Sequence, residues 1–339
     1  MFSLRLGVAP FRNTSKVFTR SNYFFKSSFA FSAASKSNIV NANLVRSFHN
    51  YNKQSPSTKS ITQKVNFVFQ KRTATHSQLG RSTYREPKYN NVRNNILTPL
   101  LFATVFSVVA FFGSNALFTY TPLGYFKKHS DQLLYTIIGL NLVVFGLWQV
   151  RFRNAKLYQI LEKYFILDRS ALTRQTNWSM LGSTFSHQEP LHIFFNMLCL
   201  YSFSGSMISV MGVPGFTAFY LSAGVWASFA SLAYSQLSKN FARSLGASGS
   251  IAGLFSFFSV IAPKAGISFF FIPIPGGAST AALIFAAYNI AGCIFRWTGL
   301  DYAAHLGGMA FGGFWAMIAV YLSKKKEGER RDRLRKYGF

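Results

Sequence analysis

The feature that most limits what this chain can fold into is a succession of apolar runs after Asn95, each near the length of a membrane crossing and parted by short polar breaks. A crossing helix needs roughly 20 apolar residues, because inside lipid every backbone N–H and C=O must find its partner within the segment. By length and flanks, about seven runs qualify, near 97–119, 132–150, 191–210, 214–236, 245–262, 279–296 and 301–322. The expected fold is all-α, a polytopic membrane helical bundle with a six-helix core over 132–323 and one additional N-terminal transmembrane helix over 96–120. Composition agrees, since half of the 339 residues are apolar and 13% are charged, more apolar surface than a soluble domain of this length normally buries. Between the second and third runs, Leu157, Ile160, Leu161, Tyr164 and Phe165 recur at helical spacing in a polar stretch. That stretch suits the membrane interface better than a crossing.

The net charge of +27 would point to nucleic acid if it formed a patch on a folded surface, but the basic residues gather at the two ends of the chain. No nucleic-acid partner is expected. Met1 to Arg85 contains no Asp or Glu, while Arg5, Arg12, Lys16, Arg20, Lys26 and Lys36 punctuate a stretch rich in Ser, Asn and Phe. This is the composition of a mitochondrial transit peptide, expected over 1–47 and followed by a polar segment without reason to fold over 48–95. The far end, 324–339, reads as a basic tail. Seven crossings put the ends on opposite sides, and because basic residues occur on both, charge alone leaves the orientation open. Cys199 and Cys293 both fall in apolar runs, which leaves neither a disulfide framework nor a cysteine zinc site. No cofactor and no metal is expected.

Ionisable and polar groups within crossing helices are costly, so their default reading is functional. The third run opens with His192 and Asn196, the fifth with Gly246-Ala247-Ser248-Gly249, and the seventh with Asp301 and His305. These three helices run parallel, so the groups lie at similar depth, roughly 5–10 Å into the bilayer at about 1.5 Å per residue. A serine hydroxyl attacks an amide when a base takes its proton, and histidine suits that task near neutral pH. Ser248 is the candidate nucleophile and His305 the candidate base. Oxyanion donors are sought in the Ser248 N–H, His192 and Asn196, with Gly246 leaving room for substrate backbone. Gly308 and Gly312 would let the seventh helix press against the fifth. Asp301, four residues before His305, is assigned to the helix start in preference to a triad role, and His187 to a surface or loop position in preference to the border of the site.

The sequence Gly246-Ala247-Ser248-Gly249, His192 with Asn196 four residues on, and Ala304-His305 with Gly308 and Gly312 resemble the rhomboid intramembrane proteases over about Leu133–Leu322. With its leader and extra first helix, the chain is similar to the mitochondrial rhomboids of fungi. The resemblance implies a Ser-His dyad without a carboxylate, oxyanion donors at His192, Asn196 and Ser248, and cleavage of membrane-spanning protein substrates in the inner mitochondrial membrane. It also implies two substrates, a dynamin-like fusion GTPase and a cytochrome c peroxidase precursor. Bacterial relatives often carry an aromatic residue at the position of Ala252, packed on the base, and a Trp-Arg pair where this chain has Trp178-Ser179. What packs on His305 and anchors the 151–190 loop is therefore for the structure to say. Two other classes fit parts of the pattern: a rhomboid-like factor that holds membrane segments without cutting, and an ion transporter using the intramembrane His and Asp.

Overall fold

The computed structural model describes residues 92–169, 177–239, 241–269 and 272–337. The transit peptide expected over 1–47 and the polar segment up to residue 91 lie outside the described residues. Residues 92–95, expected to be polar connection, already belong to the first helix, α1 (Val92–Tyr120). There follow α2 (Ser130–Val150), α3 (Ala155–Phe165), α4 (Pro190–Ser238), α5 (Ser248–Ile261), α6 (Gly277–Ile294) and α7 (Tyr302–Lys336). Among the described residues, five helices are long and apolar enough to cross a membrane: α1, α2, α4, α6 and α7.

Two helices depart from the simple one-run, one-crossing reading. The 49 residues of α4 are too long for one passage, about 74 Å at 1.5 Å per residue against a core of roughly 30 Å. At Gly212 the backbone leaves helical geometry (φ 71°, ψ 164°) just before Pro214, so α4 is two limbs joined by a tight turn, matching the third and fourth runs. The fifth run, expected as a helix from 245, begins its helix only at Ser248, so α5 spans about 21 Å. The missing depth is supplied by irregular chain leading into Gly246 (φ 130°), a turn that no helix can contain. Such backbone is tolerated at membrane depth only when protein satisfies it. Here Ser244 and Leu167 exchange N–H···O bonds of 3.0 and 2.9 Å, and Gly246 N–H donates to Ser183 O at 2.9 Å.

The segment before the sixth run contains a short antiparallel hairpin of β1 (Ile267–Phe269) and β2 (Ile272–Ile274). The end of the chain also differs, because α7 continues as helix through the basic residues to Lys336. Charged positions there are compatible with helix once the chain has left the lipid, since Lys, Arg and Glu are good helix formers.

The core lies where α5 meets α7 and both limbs of α4, around fully buried Leu200, Phe216, Tyr220 and Leu254. The first helix joins this core through buried Phe118 and packs on its neighbours: Phe111 stacks on Trp315 of α7 at 4.5 Å, and Trp226 of α4 donates to Ser107. The interfacial helix α3 is capped by Asn154, whose side chain accepts from the N–H of Lys156 and Leu157. Leu161 of α3 is buried while Ile160 and Tyr164 stay partly exposed, the one-sided burial expected of a helix lying in the interface.

Candidate active site

Ser248 is the first residue of α5. The first helical bond beyond it is Ile251 N–H to Ala247 O at 3.1 Å, so the amides of residues 248–250 precede the hydrogen-bonded ladder and face the helix N-terminus. His305 sits in the first turns of α7, whose start is set by Asp301: its carboxylate accepts from Ala304 N–H at 3.1 Å. Contact between the two helices depends on missing side chains. A Cβ on Gly308 would overlap the carbonyl oxygen of Gly249, and one on Gly312 would overlap that of Gly253. At this separation His305 Nε2 stands 2.9 Å from Ser248 Oγ.

The pair forms the floor of a polar cavity of about 310 Å³, walled by Thr184, His192, Gly246 and Asp301. Its mouth is marked by the exposed residues Arg243, Gly299 and Leu300. A larger groove of about 540 Å³ lies elsewhere, among α1, α4 and α7, but apolar side chains such as Val108, Phe111, Phe229 and Phe314 dominate its lining and it contains no titratable group. Chemistry belongs to the smaller space.

The expected donors are divided by the structure. His192 lines the cavity and its ring packs against Gly246, where a Cβ would lie 2.8 Å from Cε1. Asn196 is buried one turn further along α4, outside the cavity lining; its Nδ2 donates to His192 O at 2.8 Å. His187 lies in the irregular chain between Phe185 and Pro190, as expected of a loop histidine, but it is not at the surface: it is wholly buried against the site. Its Nε2 accepts from Ala247 N–H at 3.3 Å, and its ring meets that of His192 edge-on at 4.9 Å. Its burial follows from contact with a segment 60 residues away in sequence.

Three further groups escaped the sequence reading. Asn289 on α6, fully buried, places Oδ1 2.8 Å from His305 Nδ1. Phe285, one turn earlier, packs its ring on that imidazole at 5.6 Å, filling the place left by Ala252. Arg169 lies 3.5 Å from Asp301 Oδ1 and also donates to Ala242 O, while Ser231 donates to Asp301 Oδ2. With the Trp148 Nε1 to Ser186 bond of 2.8 Å, this network anchors the long loop in place of a Trp-Arg pair. Asn289 had a signal: a carboxamide in the middle of Ala286-Ala287-Tyr288-Asn289-Ile290, an intramembrane polar group by the same rule that found His305.

The sequence is also similar to known proteins. Residues 174–322 match the Rhomboid domain. The chain is 41% identical over 231 residues to Rhomboid protein 1, mitochondrial, of Saccharomyces cerevisiae, covering 67% of this chain and 64% of that protein. It is 36% identical over 177 residues to Presenilin-associated rhomboid-like protein A, mitochondrial, of Danio rerio, covering 52% and 45%. It is 26% identical over 204 residues to Rhomboid protease GluP of Bacillus subtilis, covering 60% and 38%. The chain thus spans less than two thirds of the length of each of these relatives. Because the matched stretch contains α4, α5 and the membrane part of α7, the long helices that line the Ser248 cavity, together with α6, this multi-pass membrane protein belongs to the rhomboid family.

Proposed function

We propose that this chain is an intramembrane serine endopeptidase that cleaves transmembrane segments of mitochondrial inner-membrane proteins with a dyad of Ser248 and His305. The observation that carries the proposal is the 2.9 Å approach of His305 Nε2 to Ser248 Oγ on the floor of a polar cavity inside an otherwise apolar bundle. In this reading Ser248 Oγ attacks the scissile carbonyl as His305 takes its proton, and the resulting imidazolium gives that proton to the leaving amide nitrogen. The oxyanion is received by the Ser248 N–H and by His192, with Asn196 holding the helical turn beneath His192 through its bond to the His192 carbonyl. Water entering from the cavity mouth then repeats the two proton transfers on the acyl-enzyme. Gly246 leaves substrate backbone a path to the nucleophile.

The inner mitochondrial membrane is supported by the mitochondrial designation of the yeast and zebrafish relatives and by the basic, acid-free leader. On this proposal residues 1–47 are the transit peptide and 48–91 a polar connection to the helices. The proposed substrates are a dynamin-like fusion GTPase and a cytochrome c peroxidase precursor, each offering a single membrane-spanning segment. A factor that only holds such segments has no use for an aligned hydroxyl and imidazole.

The test is cleavage of a reporter transmembrane substrate by the purified full-length chain in liposomes, together with labelling by a fluorophosphonate. Parent protein is expected to cleave and to be labelled on Ser248; Ser248→Ala is expected to do neither. Undiminished cleavage by Ser248→Ala would remove the proposal.

A further inference from the structure

The hydrogen bonds around His305 have a direction that can be worked out from one end. Asn289 Nδ2 lies 2.7 Å from the backbone carbonyl of Phe285, and a carbonyl oxygen only accepts, so the nitrogen end of this carboxamide is fixed. The oxygen end must then be the atom 2.8 Å from His305 Nδ1. A carboxamide oxygen only accepts as well, which requires the proton on Nδ1. A neutral imidazole carries one ring proton, so Nε2 is bare and faces Ser248 Oγ at 2.9 Å as an acceptor. The serine hydroxyl is left as the donor, the arrangement that proton removal needs.

We propose that Asn289 is the positioning residue of this site, holding His305 in the tautomer and orientation that accept the proton of Ser248. The proposal rests on the protease reading above and deepens it. Asp301, on the same helix as His305, is not available for the task. Its carboxylate is occupied by Ala304 N–H, Ser231 and Arg169. A neutral orienting group also suits the location, since a carboxylate buried among apolar side chains beside a neutral imidazole carries a desolvation penalty that an amide avoids. The Phe285 ring, 5.6 Å from the imidazole and tilted 34° to it, limits rotation of His305 on the side where Ala252 offers no ring. Both orienting side chains come from α6, one turn apart. Close approach of α6 to α7 is secured at Gly292, where a Cβ would overlap the ring of Tyr302.

Three forms of the full-length chain in liposomes test this: parent, Asn289→Leu, which keeps the volume but loses the acceptor, and Asn289→Asp, which keeps an acceptor oxygen. The readouts are kcat and KM on a reporter transmembrane substrate, the rate of Ser248 labelling by a fluorophosphonate, and the thermal unfolding midpoint. Asn289→Leu is expected to lose kcat roughly 100-fold, the lower end of what a positioned base contributes, with KM within about twofold and slower labelling. Asn289→Asp is expected to retain kcat within about tenfold of the parent. Parent-like kcat in Asn289→Leu, equal losses in the two variants, or a change confined to KM each overturns the assignment. If the parent neither cleaves nor labels, the protease reading itself fails and takes the positioning role with it, an outcome distinct from the others.

Discussion

At position 246 the backbone adopts φ 130°, and a Cβ there would lie 2.8 Å from Cε1 and 2.9 Å from Nε2 of His192. Gly246→Ala therefore combines a backbone strain of about 1–3 kcal/mol with displacement of the one expected oxyanion donor side chain that lines the cavity. We expect kcat/KM to fall at least roughly tenfold, and a parent-like value would show that the His192 ring need not sit where it does. Asp301 calls for the opposite kind of prediction, loss of stability with chemistry largely kept. Asparagine still caps a helix and still accepts from Ser231, but Asp301→Asn leaves the buried Arg169 guanidinium without its carboxylate. Breaking a buried pair costs about 3 kcal/mol, so the unfolding midpoint should drop clearly while kcat stays within about tenfold of the parent. His305→Ala should abolish cleavage; if Asp301→Asn does the same without destabilising the protein, the carboxylate has a part in the chemistry that its contacts do not suggest.

The seam between α5 and α7 turns helix packing into the geometry of the proposed dyad. Because Gly308 and Gly312 abut the backbone oxygens of Gly249 and Gly253, any side chain there must push the helices apart, and rotamer adjustment cannot relieve a clash with backbone. Gly308→Val is expected to cost about 3 kcal/mol and to abolish cleavage by lengthening the Ser248–His305 approach. Gly205→Ala, with open space around the added methyl, serves as the comparison and should match the parent in unfolding and cleavage. This seam was legible in the sequence, as small residues spaced by four beside a polar residue, and so were the seven apolar runs. Other features were not legible because non-local contacts decide them. Whether α5 starts at 245 or 248 depends on the chain before it pairing with Leu167, and His187 is buried because Ala247 reaches it. Asn289 was passed over for another reason: a single carboxamide in a crossing helix is commonly interhelical glue, and nothing in its own sequence tells that its oxygen meets a histidine.

At the scale of the whole molecule, the crossings fix which surfaces share a compartment. If each limb of α4 and the short α5 cross along with α1, α2, α6 and α7, there are seven passages, and the start of α1 and the end of α7 are expected on opposite sides. The loop carrying α3, the segment before Ser248 and the turn at Gly299 to Asp301 are then expected on the same side as the start of α1, with the cavity mouth at Arg243 and Leu300. Past Lys324 the helix α7 continues for a further 12 residues to Lys336, about 18 Å of basic helix leaving the opposite face. Single cysteines introduced as Arg153→Cys, Leu300→Cys and Glu329→Cys, treated with a membrane-impermeant maleimide in sealed inner-membrane vesicles, test this arrangement against the background from Cys199 and Cys293. The 153 and 300 positions should label from one side and 329 from the other, whichever way the vesicles are turned. If all three label from the same side, the number of crossings between Leu300 and Glu329 is even and α7 does not span. If 153 and 300 part company, the turn at Gly212 or the short α5 does not return the chain as described, and Ser248 would then sit at a different depth from His192 and His305.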